Sequence, residues 1–142
     1  MRHPATPLLR HFDPWAYAKN RCSDAGTLPL VETETLRQWT GTHDDVVHYT
    51  LEGCIDRHGQ SRLRGNVRAV LHTECQRCLE PLALPVDHDF DYVLIRDQSL
   101  EDSVVDGSET LICAGDELDL AWFIEEEVLL AMPMIAKHDD CS

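Results

Sequence analysis

Hydrophobic and polar residues alternate along three stretches of the chain, which comprise residues 46–55, 61–73 and 82–94. In the middle stretch Leu63, Val67 and Leu71 fall on one face, whereas Arg64 and Arg68 fall on the other. A period of two residues is typical of strands that are buried on one face only. Because short connections separate the three stretches, we predict an antiparallel meander that could curl toward a barrel.

Tight turns are predicted at both connections. Residues 56–60 contain Gly59, which can adopt the positive φ that hairpin turns often need. Residues 75–81 read Cys-Gln-Arg-Cys-Leu-Glu-Pro and join the two most regular strands. We expect the chain to be organised around this second turn, because it brings two sulfur atoms together.

The main helix is predicted near the end of the sequence. Its apolar residues recur at helical spacing over Leu118, Ala121, Trp122, Ile124, Val128, Ala131 and Met132. Asp116 can cap this helix, with Asp119 three residues further on, and Pro133 can end it. Residues 118–132 therefore provide a helix to cover one face of the sheet.

Two short helices are predicted near the N terminus. Asp13 can cap the first, and Pro14 is tolerated in its first turn, where the missing N–H costs nothing. The second covers residues 33–39. Together with the meander and the main helix, these elements predict an α+β fold with a packed C-terminal helix and an antiparallel sheet.

Other segments are assigned from their turn residues and polarity. Residues 23–26 are predicted to end the first helix, and residues 28–31 are predicted to form a short edge strand. Residues 109–114 predict a fourth strand with Leu111 and Cys113 facing inward.

The most polar stretches are read as irregular. Residues 97–108 are acidic and rich in turn formers, which predicts a mobile loop. Residues 133–142 are read as an irregular tail. The whole chain, residues 1–142, is predicted to form one domain.

The composition favours a location in the cytoplasm. The sequence has 142 residues and is 43% hydrophobic, which is enough to bury a core. It contains no run of about 18 apolar residues, and its first ten residues have no apolar core of signal-peptide length. In the cytoplasm the six cysteines should stay reduced, so a metal explains paired cysteines better than a disulfide does.

Charge is distributed unevenly along the chain, whose net charge is −14. Residues 87–127 hold fourteen acidic residues and one basic residue, whereas residues 57–77 hold five arginines and one glutamate. Phosphate neutralisation needs clustered Lys and Arg, and this chain has only two lysines. An acidic surface suits a basic protein partner better, although the charge could also serve only solubility.

A zinc site is one interpretation of the paired cysteines. Cys75 and Cys78 have the Cys-x-x-Cys spacing that lets two thiolates reach one ion, and His138 and Cys141 fit a second pair. Such a site would be structural and would attach the tail to the turn. The alternative is two reduced thiols at a turn and a frayed terminus. A redox role is disfavoured, because redox pairs typically precede a helix.

Four arginines on or beside the second strand are candidate contacts for RNA phosphates: Arg62, Arg64, Arg68 and Arg77. A structural role is favoured over RNA binding. If the strands pair about the cysteine turn, Arg68 falls opposite Asp87 and Arg64 falls opposite Asp91. Cross-strand pairs of opposite charge stabilise a sheet by ~0.2–1 kcal/mol each.

Three consecutive glutamates, Glu125, Glu126 and Glu127, lie on the main helix. Neighbouring residues on a helix point about 100° apart, so these carboxylates do not converge on one site for acid–base chemistry. A solvated or partner-binding surface is predicted instead. The sequence contains no recognisable catalytic constellation, and no enzymatic activity is predicted.

The sequence resembles the YceD family of bacterial proteins. The resemblance rests on residues 74–82 around the cysteine turn, on residues 118–120 and 125–133 of the main helix, and on His138 and Cys141. It implies that the two cysteine-containing pairs form one zinc site. Many members continue with a basic tail containing Asn-Pro-Phe, whereas this sequence ends at Ser142, so part of the function could be missing.

The resemblance implies a role in the accumulation of large-subunit ribosomal RNA, through its synthesis, processing or stability. No catalytic activity is implied. Three hypotheses follow: a ribosome-biogenesis factor that acts through protein partners, a direct RNA binder that uses the arginines, and a zinc-stapled adaptor with no link to RNA.

Overall fold

The computed structural model describes residues 11–40 and 45–132. In chain order the elements are β1 (His11–Phe12), α1 (Pro14–Lys19), β2 (Ser23–Pro29), β3 (Val46–Ile55), β4 (Ser61–Glu74), β5 (Pro81–Ile95), β6 (Thr110–Ile112), β7 (Leu118–Asp119) and α2 (Leu120–Ala131). Strands β2 to β6 form one sheet in sequential order, and β1 pairs with β7. The α+β fold is confirmed. The single-domain assignment of residues 1–142 stays a prediction.

The predicted meander forms the centre of the sheet. Strands β3, β4 and β5 pair antiparallel, and their bounds agree with the three alternating stretches to within a residue. The predicted register is also confirmed, because Arg68 is opposite Asp87 and Arg64 is opposite Asp91. Gly59 has φ of 78° in the first turn. Among the described residues the sheet stays open, with β2 and β6 at its edges.

The fourth predicted strand exists but runs the other way. Strand β6 pairs parallel with β5, through Val93 and Thr110 among other pairs. A parallel neighbour needs a crossover connection, and residues 96–109 provide it. This connection includes two short 3₁₀ helices, Gln98–Ser103 and Val105–Gly107. The predicted mobility of residues 97–108 stays a prediction.

The predictions for residues 23–39 need correction. Helix α1 is short, as predicted, but it ends at Lys19, ahead of residues 23–26. Those residues belong to β2, which pairs along its whole length with β3 as an edge strand. Gly26 allows close approach, since a Cβ there would lie 2.8 Å from the Tyr49 hydroxyl oxygen. The helix predicted over residues 33–39 is reduced to a 3₁₀ turn, Leu36–Trp39.

Both α-helices are capped by an aspartate. In α1, the Asp13 side chain accepts hydrogen bonds from the N–H groups of Trp15 and Ala16, as predicted. In α2, the cap is Asp119 and not Asp116, because Asp119 accepts from the N–H of Trp122 at 3.2 Å. The pairing of β7 with β1 holds residues 118–119 extended, so the helix begins later than predicted.

The core lies between the sheet and α2. The ring of Phe123 packs edge-on against Phe90, with 5.1 Å between the ring centroids. Ile124 and Val128 on the same helix are fully buried. The helix ends at Ala131, where the chain becomes extended one residue before Pro133. Within the part of the chain that the structure describes, helix α2 therefore covers one face of the sheet and leaves the other to solvent.

Candidate functional site

The cysteine turn joins β4 and β5 as predicted. The N–H of Cys75 donates to the carbonyl oxygen of Glu80, and the N–H of Leu79 donates to the carbonyl oxygen of Cys75, both at 2.9 Å. Leu79 takes a positive φ of 62°, which closes the loop. The side chain of Cys75 is buried, whereas that of Cys78 is partly exposed. The backbone thus holds both cysteines of the predicted pair within one short loop.

These two cysteines suit a metal ion in spacing and chemistry, but they are half of a four-ligand set. His138 and Cys141, the other predicted ligands, lie outside the described residues. Within residues 11–40 and 45–132, no group of three or more His, Cys, Asp or Glu side chains converges as a metal site would require. The zinc site therefore stays a prediction.

Arg62 is a structural residue of the sheet. Its guanidinium bonds the Asp56 carboxylate at 2.7 Å and the Asp91 carboxylate at 3.0 Å, and it donates to the Ser108 hydroxyl at 3.0 Å. Its side chain is only 12% exposed. Burial raises the pKa of Asp56, but hydrogen bonds from Gln60 and Arg62 outweigh it and hold that pKa well below its usual range.

The other arginines are more accessible. Arg64 lies 3.6 Å from the Glu52 carboxylate and 2.9 Å from the Cys54 sulfur. Arg68 and Arg77 are exposed. On this open face, Asp91 forms its ion pair with Arg62 and not with Arg64, which lies directly opposite it. Arg64 instead lies near Glu52 on β3. Of the four arginines proposed for RNA, Arg62 is the least available.

An open groove runs along the same face of the sheet. It has a volume of about 470 Å³ and is lined by His48, Arg68, Val70 and Asp87, among others. Arginine and histidine therefore line the groove together with two aspartates, Asp45 and Asp87. This mixture does not form the continuous basic surface that phosphate binding favours.

The prediction of a solvated surface is wrong for two of the three glutamates. Glu125 is 6% exposed and Glu127 is 3% exposed, whereas Glu126 is half-buried. The Glu125 carboxylate accepts hydrogen bonds from the N–H groups of Thr35, at 2.6 Å, and Leu36, at 2.9 Å. Glu125 thus attaches the 3₁₀ segment to α2, because a buried carboxylate needs donors.

Glu127 lies beneath the sheet in a small polar cluster. Its carboxylate accepts from the Tyr92 hydroxyl at 2.8 Å, and its Oε1 is 3.2 Å from Nε2 of His88. Burial raises the pKa of Glu127, although Tyr92 and His88 act against that shift. Burial also raises the pKa of Tyr92, and the hydrogen bond to Glu127 adds to the effect. This cluster packs α2 onto β5.

The exposed face of α2 has a different composition from the predicted one. Trp122, assigned to the apolar face from its spacing, is 49% exposed, and Leu130 is 67% exposed. Beside Trp122 lies a small cleft between α2 and residues 32–34. The helical spacing assigned Trp122 to the buried face. The residues on either side of it, Ala121 and Phe123, are buried, whereas Trp122 itself is exposed.

No helix in the described ranges is long and apolar enough to cross a membrane. No solved structure matches the chain. A curated relative, the large ribosomal RNA subunit accumulation protein YceD of Haemophilus influenzae, is 25% identical over 127 residues, which cover 89% of this chain and 73% of the relative.

A family sequence profile provides stronger evidence. The family described as "Large ribosomal RNA subunit accumulation protein YceD" matches residues 63–142, which are more than half of the chain. The match begins in β4 and includes the cysteine turn, β5 and α2. The chain therefore belongs to the YceD family.

Proposed function

We propose that this protein promotes the accumulation of large-subunit ribosomal RNA, without catalysing a reaction, by binding protein partners. Membership of the YceD family carries the proposal. The roles of the buried carboxylates support its non-enzymatic part. The carboxylate of Glu125 is engaged by backbone N–H groups, and that of Glu127 is engaged by Tyr92 and His88.

The proposal is tested by deleting the gene in its host and measuring the ratio of large-subunit to small-subunit ribosomal RNA. We expect the ratio to fall in the deletion strain and to recover when the wild-type protein is expressed again. A ratio that stays unchanged on deletion, at normal growth temperature and in the cold, contradicts the proposed function. An affinity purification then identifies which proteins the tagged chain binds.

Direct RNA binding is the second candidate, and the exposure of Arg64, Arg68 and Arg77 favours it. Replacing Arg68 and Arg77 by glutamate removes two exposed cations and leaves intact the bonds of Arg62 to Asp56 and Asp91. If the protein binds RNA through this face, affinity for a large-subunit RNA fragment should fall and its salt dependence should become shallower. Unchanged affinity at each salt concentration would assign these arginines a structural role.

A structural zinc ion is part of the proposal. Cys75 and Cys78 would supply two thiolates, and His138 and Cys141 would complete the set. A closed set of four such ligands stabilises a fold and leaves no position for a substrate. The ion would attach the end of the chain to the β4–β5 turn. If zinc is present without any effect of the protein on ribosomal RNA, the chain is a zinc-stapled adaptor.

A further inference from the structure

Helix α2 exposes an aromatic residue on the side that faces away from the sheet. Trp122 is 49% exposed, and Leu130, two turns further along, is 67% exposed. Glu126 lies between them and is half-buried. Tryptophan is enriched at the energetic centres of protein interfaces, because a large rigid ring gains contact area at little entropic cost.

The cleft beside this tryptophan is acidic. Its volume is about 80 Å³, and the described residues that line it include four carboxylates and no basic side chain. The acidic lining residues are Glu32, Glu34, Asp119 and Glu125. The cleft is large enough to admit a small polar group, such as the head group of an arginine or lysine.

The carboxylates of the cleft are not equivalent. Glu125 is bound to the N–H groups of Thr35 and Leu36, and Asp119 accepts from Trp122 and lies 3.6 Å from His11. Glu32 and Glu34 are exposed at the rim. The rim acids therefore provide the charge that an entering cation would meet first.

We propose that this cleft binds an arginine side chain from a basic protein segment, with the guanidinium stacked on Trp122 and facing the rim acids. The inference rests on the proposed function and specifies the chemistry of its partner. A guanidinium over an indole ring is attracted by the ring's negative face. The same arrangement already occurs within this chain, where the guanidinium carbon of Arg96 lies 4.2 Å from the Trp15 ring centroid.

Charge complementarity selects this occupant over the alternatives. Nucleic acid is disfavoured, because its phosphates would face Glu32 and Glu34. A second copy of the chain is also disfavoured, because each copy carries a net charge of −14. A basic segment gains from the field of the whole molecule as well as from the cleft.

The test uses fluorescein-labelled Arg-Ser and Lys-Ser repeat peptides, with binding followed by fluorescence anisotropy. We expect the arginine peptide to bind more tightly, because guanidinium stacks on aromatic rings better than ammonium does. Trp122→Ala and the double variant Glu32→Gln/Glu34→Gln should each weaken binding by about fivefold or more. The full-length chain is used throughout, and thermal melts verify that each variant is folded.

The matched control is Glu101→Gln/Asp102→Asn, which removes the same charge from exposed positions that do not line the cleft. It should change affinity by less than about twofold, because these charges do not line the cleft and exposed charges are weakened by salt. Equal losses in the control and rim variants, or unchanged binding in Trp122→Ala, would overturn the proposal. So would a dimer that dissociates in Trp122→Ala, which would assign the face to a second copy.

Failure of this inference can be distinguished from failure of the proposed function. If Trp122→Ala restores the ribosomal RNA ratio in the deletion strain although it no longer binds the peptide, the function stands and the cleft is not its docking site. If deletion leaves the ratio unchanged, the function itself is contradicted. Loss of both peptide binding and complementation in Trp122→Ala supports both.

Discussion

At the scale of single residues, the buried carboxylates show how a charged side chain becomes part of a core. Glu127 contacts Tyr92 and His88, and Glu125 contacts two backbone N–H groups. Isolated buried charges are costly, whereas hydrogen-bonded ones are tolerated. Three successive glutamates in a sequence do not reveal this difference, because the donors come from distant segments.

Replacing Glu127 by glutamine should change the pH dependence of stability. A carboxyl whose pKa is raised on folding stabilises the protein fully below its ordinary pKa of 4.5, and this contribution is lost as the pH rises through the raised value. Glutamine does not titrate. The free energy of unfolding of Glu127→Gln should therefore increase relative to wild type as the pH rises above about 4.5.

Urea unfolding at several pH values measures this difference. The slope cannot exceed about 1.4 kcal/mol per pH unit for one proton. Glu126→Gln, at the half-buried neighbouring position, is the matched variant that removes the same charge. If the curves for Glu127→Gln and wild type run parallel, the raised pKa is not present.

At the scale of elements, the cysteine turn depends on a leucine in an unusual conformation. Leu79 has φ of 62°, where a Cβ is unfavourable, and its side chain is 67% exposed. Leu79→Gly should therefore stabilise the protein by about 0.5–1 kcal/mol in thermal unfolding, because glycine adopts this conformation freely. Arg77→Gly in the same loop, at negative φ, should destabilise it. A loss of stability in Leu79→Gly would show that the backbone conformation of Leu79 is not strained.

The pairing of β3 with β4 requires a glycine. A Cβ on Gly65 would lie 2.0 Å from the carbonyl oxygen of Thr50 and 2.9 Å from the Phe90 ring. Gly65→Ala should lower the free energy of unfolding by about 2–3 kcal/mol, measured in urea, because the strands must move apart. Gly115→Ala is the control, since a Cβ there would meet no atom within 4 Å. Equal stability of the two variants would show that the sheet adapts.

The elements differ in how well their sequences predicted them. The strands of the meander and their register followed from a period of two and two short turns. The start of α2 did not, because Leu118 and Asp119 fit the helical pattern but pair with β1 instead. The direction of β6 was likewise absent from the local pattern, since it depends on where the crossover returns the chain.

At the scale of the whole molecule, the predicted zinc ion would join the end of the chain to its central turn. We expect the purified protein to contain about one zinc per chain, measured by mass spectrometry of the metal. Cys75→Ser should lose the zinc, and chelation should lower the melting temperature of the wild type but not of the variant. Cys22→Ser, outside the proposed set, should retain it. Wild-type protein that contains no zinc would contradict the predicted zinc site.

The sequence by itself determined the meander, its register, the cysteine turn and the resemblance to the family. These features depend on neighbours in the chain, and alternation with short turns leaves few other pairings. Only the tertiary structure decided which charges are buried. The N–H groups that hold Glu125 lie about ninety positions earlier in the chain. The exposure of Trp122 was decided in the same way. A helical pattern defines the apolar face of a helix, but not which segments cover the residues at the edge of that face.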